Sequence, residues 1–399
     1  MNSEKIIQLA IDTESVLTDR FRSVDMISYK NTEKVLNAFR NHRVSDTMFM
    51  PSSGYGYDDK GRDTLDKIYA DVFGTEAAFV RHNIVSGTHA LTIALFALLR
   101  PNDTMLSITG KPYDTLDDVI HGTGGSLREF GVNYKQTELD GDFIDAIDDT
   151  TKVVFIQRSK GYMNRRTLSV AEINDMIRAV KAKCNAYVIV DNCYGEFVEE
   201  TEPNADLIVG SLIKNPGGGM AECGGYLAGS AEAVELAGYR LTSPGIGTEC
   251  GASLGQTKSI YKGLFFAPHV VAQALKTAMF ASYIFEQLGF EVEPKWNGFR
   301  GDIIQAVKLL TPENLCAFCK GIQMGSPIDS FVTPEPWAMP GYADQVIMAA
   351  GTFTQGASIE LSADGPMRPP YTAFFQGGLT YESGKIGIMS AVREILKGK

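Results

Sequence analysis

The sequence has no surplus of positive charge and no long apolar run. It carries 37 Lys and Arg against 48 Asp and Glu, a formal net charge of −11. This balance argues against a nucleic-acid partner, because such surfaces are basic. The apolar run Ala90–Leu99 is too short to cross a membrane. The first ten residues also lack the apolar stretch behind basic residues that marks a signal peptide, so no membrane partner is expected.

Cysteine is sparse, and no dinucleotide-binding glycine motif follows an early strand. The six cysteines are scattered over 399 residues, and a chain of this length does not need disulfides. We therefore expect reduced thiols and a cytoplasmic protein. Cys316 and Cys319 have metal-type spacing, but no second Cys/His pair accompanies them, and no metal site is predicted. Without Gly-x-Gly-x-x-Gly, a Rossmann-type dehydrogenase is disfavoured.

Short apolar runs that alternate with helical patterns predict an α/β fold with a mostly parallel sheet covered by helices on both faces. We expect an N-terminal helical segment at 1–50, a large domain at 51–267 and a smaller C-terminal α+β domain at 268–399. In this last domain the pattern predicts a long helix from about Pro268 to Leu288 and short strands at Val346–Ala349 and Ser358–Leu361. The predicted buried strands are Ala77–Val80, Met105–Ile108, Val153–Ile156, Tyr187–Val190, Leu207–Val209 and Tyr226–Ala228. Ligands of such sheets bind at the carboxyl ends of the strands, so the loops there are the first candidates for a site.

The first of these loops contains Ser86, Gly87 and Thr88, after the strand Ala77–Val80 and at the start of a predicted helix. Small residues let a ligand approach the backbone, and the free N–H groups of a helix N-terminus suit a phosphate. An ordinary N-cap at Ser86 explains the same residues.

Two further loops place charged residues at strand ends. Asp191 ends the strand at 187–190, where a buried carboxylate needs a cationic partner such as a protonated pyridine nitrogen. Lys214 follows the strand at 207–209, with Ser211 before it and a glycine-rich turn after it. A desolvated lysine suits a Schiff-base nucleophile. A turn carboxylate and a surface lysine are the alternatives for each residue alone.

The order of these elements resembles the fold-type I enzymes that depend on pyridoxal 5′-phosphate (PLP), and within them the cystathionine and methionine γ-lyase group. Residues 86–90 resemble the family's phosphate loop, Asp191 its pyridinium partner, and Ser211 with Lys214 its Ser-x-x-Lys element. Tyr113 falls where the family stacks an aromatic ring on the cofactor. The segments 54–62 and 157–162 resemble the branch known as aluminium resistance proteins, or methionine γ-lyase-like proteins.

The resemblance implies a PLP-dependent transferase-like fold and a carbon–sulfur lyase acting on a sulfur-containing amino acid. Lys214 would hold PLP and act as the base at Cα, Asp191 would keep the ring nitrogen protonated, and Tyr113 would stack on the ring. An aminotransferase or a β/γ-replacement enzyme is the alternative within PLP chemistry. A non-catalytic PLP-fold protein with a metal-tolerance role is the alternative from another class.

The sequence departs from the family where neighbouring subunits meet. The γ-lyases carry a Tyr-x-Arg pair that reaches the phosphate of the next subunit. Here Tyr57 matches the Tyr, but Asp59 occupies the Arg position, and Arg62 is expected to supply the charge. The resemblance then implies a homotetramer, a dimer of dimers with shared active sites.

The carboxylate of an amino-acid substrate is normally bound by a bidentate arginine. Arg368 is the first candidate because it follows a C-terminal strand. Arg158 and Arg240 are its competitors.

Overall fold

The computed structural model describes residues 3–163, 165–339 and 344–397. Its α-helices are α1 (Ser3–Asn41), α2 (Lys60–Phe73), α3 (Gly87–Leu98), α4 (Asp114–His121), α5 (Val170–Lys183), α6 (Ala231–Leu241), α7 (Thr257–Gln287), α8 (Pro312–Met324) and α9 (Tyr381–Lys397). The strands of the larger sheet are β1 (Ala77–Arg81), β2 (Thr104–Ser107), β3 (Asn133–Gln136), β4 (Thr151–Gln157), β5 (Tyr187–Asp191), β6 (Leu207–Ser211) and β7 (Gly225–Gly229). Those of the smaller sheet are β8 (Glu291–Glu293), β9 (Gln305–Lys308), β10 (Val346–Ala349), β11 (Ser362–Pro366) and β12 (Thr372–Gln376).

The larger sheet has seven strands in the order β1-β7-β6-β5-β4-β2-β3. Strands β6, β5, β4, β2 and β3 are parallel, whereas β7 runs antiparallel to both of its neighbours. The predicted mostly parallel α/β sheet is confirmed, and each of the six predicted strands is present. Sequence analysis missed β3, because this edge strand is polar and largely exposed and lacks the apolar signal of a buried strand.

Alternate residues of the central strands enter two apolar cores on opposite faces of the sheet. Val190 and Ile208 belong to the core that includes residues of α2, α5 and α7. Ile189 and Val209 belong to the core that includes residues of α3 and α6. Both faces are covered, which explains why these strands appear in the sequence as continuous apolar runs.

Helix α7 differs from its prediction, which began at Pro268. The helix begins at Thr257 and includes Pro268, so the expected boundary between residues 267 and 268 falls inside it. By length and composition α7 could cross a membrane, although 72% of its most apolar window is buried in the protein. Polar residues interrupt its apolar positions, so no long apolar run is visible in the sequence.

The smaller sheet is antiparallel, in the order β10-β11-β12-β9-β8, with α8 and α9 packed beside it. A strand predicted at Ser358–Leu361 instead forms at Ser362–Pro366. The reason is local, because Glu360 accepts hydrogen bonds from the backbone N–H groups of Phe353 and Thr354 and holds its segment in a loop.

Candidate active site

The carboxyl ends of β5 and β6 and the start of α3 surround a cavity of about 260 Å³. The structure brings together seven of the residues singled out in the sequence, since this cavity is lined by Ser86, Gly87, Thr88, Tyr113, Asp191, Ser211 and Lys214. These residues are far apart in the sequence, but the parallel strands place their carboxyl ends at one edge of the sheet and so bring the residues together.

The start of α3 forms one wall of the cavity. The hydroxyl of Ser86 accepts a hydrogen bond from the backbone N–H of His89 at 3.0 Å, so Ser86 is the N-cap of α3. A Cβ added at Gly87 would lie 3.3 Å from the Cys193 sulfur and 3.5 Å from Cβ of Ser211. The backbone therefore approaches the strand ends closely, and the positive end of the helix faces space that suits a phosphate.

Asp191 lies at the end of β5 with its carboxyl group buried. Burial raises the pKa of this carboxyl, while the charge of Lys214 and hydrogen bonds from Cys193 oppose that rise. The backbone N–H of Cys193 donates to Oδ1 of Asp191 at 3.1 Å. A carboxylate held in this way can pair with a cation inside the cavity.

The amine of Lys214 is enclosed by side chains from the β5 end and the loop after it. Its Nζ lies 4.0 Å from the ring centroid of Tyr194. Burial opposes the charged form, but Cys193, Tyr194 and Asp191 together raise the pKa of Lys214 above its ordinary value. The amine thus faces the carboxyl of Asp191 across a confined space.

Tyr113 is held at the entrance of the cavity by two contacts. Its backbone N–H donates to Oε1 of Gln157 at 2.7 Å. A Cβ added at Gly161, which has φ +54°, would lie 3.1 Å from Cδ2 of Tyr113. Gln157 therefore positions the loop of Tyr113 through its side chain.

Cys193 and Tyr194 are among the lining residues of this cavity that sequence analysis missed. Cys193 is buried, and burial raises the pKa of its thiol well above the ordinary value. Tyr194 adopts φ +73°, an uncommon conformation for a residue with a side chain, and its ring covers Lys214. They could have been predicted from their position close after Asp191, because the loop that follows a strand end often contributes several side chains to the same site.

Arg62 lies apart from this cavity, and its guanidinium is bound within its own chain. It donates to the carbonyls of Gly56 and Gly251 at 2.7 and 2.8 Å, and it forms an ion pair with Asp63. These contacts leave Arg62 4% exposed within its own chain, and the charge that it is expected to supply to a neighbouring subunit stays a prediction.

Asp59 and Tyr57 have separate roles in the same segment. Asp59 caps α2 by accepting from the backbone N–H of Arg62 at 3.0 Å, which explains a carboxylate at the family's Arg position. Tyr57 is 57% exposed and stacks on Tyr55 with 5.6 Å between ring centroids.

Two of the candidate carboxylate ligands are placed elsewhere. Arg158 is fully buried and pairs with Glu199 at 2.8 Å and Glu202 at 3.3 Å. Both carboxylates pair with its guanidinium within the chain, and a role of Arg158 toward the substrate stays a prediction. Arg240 stacks on the ring of Phe96 at 5.0 Å, on the outer side of α3.

Arg368 lines a second cavity of about 370 Å³, on the other side of the loop 159–162 from Lys214. It pairs there with Asp344 at 2.9 Å. The same cavity contains Lys160 and Arg165, which sequence analysis did not select. Arg165 donates to the carbonyls of Gln157 and Ser159 at 2.8 and 2.7 Å, and its charge also favours the ionised form of Asp191. No motif identified Arg165, because its placement depends on the fold of its loop.

The donor set of the first cavity fits PLP. The N-terminus of α3 and Ser211 suit a phosphate, Asp191 suits a protonated ring nitrogen, and the buried amine of Lys214 suits covalent attachment. Fold and site together define a PLP-dependent protein of fold type I.

Comparison with known proteins gives the family. The sequence model of the methionine gamma-lyase family matches residues 6–396. The uncharacterized protein YnbB of Bacillus subtilis is 54% identical over 99% of this chain and 98% of its own length. The structure of a candidate cystathionine beta-lyase involved in aluminium resistance from Clostridium acetobutylicum has a TM-score of 0.95 and 50% identity, over 98% of this chain and 96% of that one. A carbon-sulfur lyase involved in aluminium resistance from Clostridium novyi has a TM-score of 0.94 and 50% identity, over 98% and 96%.

The chain therefore belongs to the methionine gamma-lyase family. Its cofactor is pyridoxal 5′-phosphate, as the sequence analysis expected, and the fold-type I resemblance is confirmed.

Proposed function

We propose that this protein is a PLP-dependent carbon–sulfur lyase that acts on a sulfur-containing amino acid. One observation carries the proposal: the amine of Lys214 and the carboxyl of Asp191 face one cavity beside the helix terminus at Gly87. The family and the names of similar structures support this reaction class.

In the proposed mechanism, PLP supplies an electron sink that stabilises negative charge at Cα of the substrate. Lys214 takes the proton from Cα, since its amine is buried against the site and can transfer protons there. Asp191 balances the positive ring nitrogen, while Ser211 and the N–H groups at the start of α3 bind the phosphate. The ring of Tyr113 would stack on the ring of the cofactor and fix its orientation. The carbon–sulfur bond would then break, and the departing sulfur would take up the proton that Lys214 removed from Cα.

We assign the substrate carboxylate to the positive side chains around the loop 159–162. Arg165 is the first candidate, because its charge already acts on Asp191 and, among the described residues, its hydrogen-bond acceptors are backbone carbonyls rather than carboxylates. Arg368 remains the candidate from sequence, and it would have to leave Asp344 to take this role. If Arg165 binds the carboxylate, KM should rise more in Arg165→Gln than in Arg368→Gln, at unchanged PLP content. The opposite order would favour Arg368.

We also propose that Tyr57 reaches the active site of a second copy of the chain. Its hydroxyphenyl ring is exposed beside a segment that has no role in its own cavity. Mixing Tyr57→Ala with Lys214→Ala should then restore activity through hybrid dimers that keep one intact site. A mixture of exchanged subunits that remains inactive would contradict shared sites.

The reaction is tested by supplying purified protein with PLP and following thiol and 2-oxo acid release. Cysteine, cystathionine, methionine and homocysteine are the first substrates to compare. Borohydride reduction should fix the cofactor on Lys214, and Lys214→Ala should lose both the attachment and the activity. Conversion of the cofactor to its amine form without thiol release would indicate an aminotransferase instead.

A further inference from the structure

A second chamber of about 150 Å³ opens from the Lys214 cavity toward the small sheet. The two spaces share Tyr113, Tyr194 and Gly356 as lining residues, so they are contiguous. A substrate that extends beyond its reacting carbon would enter this chamber, because the opposite walls of the first cavity belong to the cofactor-binding groups.

Asp364 on β11 is the only charged residue among the described residues that line this chamber. Its Oδ1 is buried and accepts no hydrogen bond from the described part of the chain. The hydroxyl of Ser362, which lines the same chamber, likewise has no hydrogen-bond partner there, and the hydroxyl of Ser358 lies within hydrogen-bonding reach of Tyr194. Among the described residues, the lining of the chamber therefore presents several oxygen acceptors and no positive group.

A buried carboxylate without a cationic partner is unfavourable, and fold stability alone does not explain it. The hydroxyl of Tyr162 bonds to Asp364 and favours its ionised form, but it brings no positive charge. Lys214 lines the first cavity, where it faces Asp191 and Tyr194, and Lys160, Arg165, Lys308 and Arg368 line the other cavity. The missing partner of Asp364 is therefore expected to arrive with the ligand.

We propose that Asp364 binds an ammonium group carried on the far side of the substrate's sulfur atom. The substrate class is then a thioether or disulfide amino acid whose leaving thiol bears an amine, rather than one with an alkyl thiol. Ser358 and Ser362 complete the acceptor set around this ammonium group. This inference deepens the proposed function and rests on it for the reaction, whereas the recognition of the amine is a separate property of the chamber.

The test compares S-(2-aminoethyl)cysteine with S-propylcysteine, which places a methyl group where the amine lies. The wild-type holoenzyme should prefer the amine, and Asp364→Asn should lower kcat/KM for it by about ten- to hundredfold, the usual effect of losing a buried charged hydrogen bond. The change should fall on KM, and S-propylcysteine should be affected by less than about threefold. Asp364→Glu should restore part of the preference, and Glu382→Gln, an exposed acid on α9, is the matched control.

Two results would overturn the inference. One is an equal loss for both substrates in Asp364→Asn, which would indicate a general role in catalysis or folding. The other is no preference for the amine in the wild type. Binding of lysine and of 2-aminoheptanoate, followed by the absorbance of bound PLP, gives the same comparison without bond cleavage. A preference for lysine that disappears in Asp364→Asn supports the inference even if no sulfur substrate is cleaved, in which case only the proposed function fails.

Discussion

Cys193 donates its backbone N–H to the carboxylate of Asp191 at 3.1 Å, and its thiol hydrogen-bonds to the same group. Both bonds favour the ionised carboxylate, against the burial that raises its pKa. Because an ionised Asp191 is needed opposite a protonated ring nitrogen, Cys193 acts as a positioning residue for the cofactor.

We therefore expect Cys193→Ala to bind PLP up to about tenfold more weakly, since it removes one hydrogen bond to a charged group. Cys193→Ser keeps a donor at this position and should bind PLP close to the wild type. Titration of the apoprotein followed by cofactor absorbance measures both. Equal affinity in all three proteins would show that the thiol does not support Asp191.

Gly161→Ala should disturb Tyr113 through two effects. The left-handed φ of +54° costs a residue with a side chain about 1 kcal/mol, and the new methyl group would press on the tyrosine ring. We expect a modest loss of thermal stability and a larger loss of kcat. Gly124→Ala, where φ is +92° and an added Cβ meets nothing within 4 Å, separates backbone strain from the contact with Tyr113. Similar kcat losses in both variants would contradict the proposed contact.

The residues of the site that could be predicted from the sequence are those at the ends of strands. Asp191, Ser211 and Lys214 follow apolar runs that identify buried parallel strands, and such strands bring their carboxyl ends together. Tyr194 belongs to the same loop as Asp191, but its position over Lys214 requires a positive φ that the sequence does not reveal.

Residues from the small sheet and from irregular loops could not be predicted. Asp364 enters the site because β11 pairs between β10 and β12, and the strand was predicted a few residues too early. Arg158 was a candidate for binding the substrate carboxylate, in competition with Arg368. Its side chain instead turns toward Glu199 and Glu202, which belong to a segment some forty residues later. Sequence proximity gives no information on such pairings.

Arg158→Met should destabilise the fold without a direct effect on chemistry. It would leave the fully buried Glu202 without its charge partner, a change that typically costs about 3–5 kcal/mol. Thermal denaturation of the variant should show a large decrease in Tm. At low temperature, where the variant is folded, its KM should equal that of the wild type. Arg240→Ala, which removes an exposed arginine, is the control. A raised KM with unchanged stability would contradict this prediction and indicate that Arg158 binds the substrate.

Glu196 predicts a dependence of stability on pH. It is fully buried, accepts a hydrogen bond from Tyr226 at 2.8 Å, and burial raises its pKa from 4.5 to about 8. The folded protein therefore keeps a proton that the unfolded chain releases above about pH 4.5. Its contribution to stability falls by up to about 1.4 kcal/mol per pH unit between these two values. Glu196→Gln should lose less stability than the wild type as the pH rises from about 5 to about 8, in Tm measured across the range. Parallel curves for the two proteins would contradict the buried neutral carboxyl.

Asp364 predicts a pH dependence of substrate preference. Burial raises its pKa to about 6, opposed by the hydroxyl of Tyr162. Tyr113 also lines the chamber, and Asp364 in turn acts on the titration of Tyr194 and Cys319. Both remain neutral near pH 6 because burial raises the pKa of each. The charged form of Asp364 therefore accumulates as the pH rises through about 6, while the amine of the substrate stays protonated.

We expect the ratio of kcat/KM for S-(2-aminoethyl)cysteine over S-propylcysteine to rise between about pH 5 and 7 and then level off. Because the ratio cancels ionisations that affect both substrates equally, Asp364→Asn should give a flat profile. A wild-type ratio that does not change across this range would show that Asp364 does not meet the amine in its charged form.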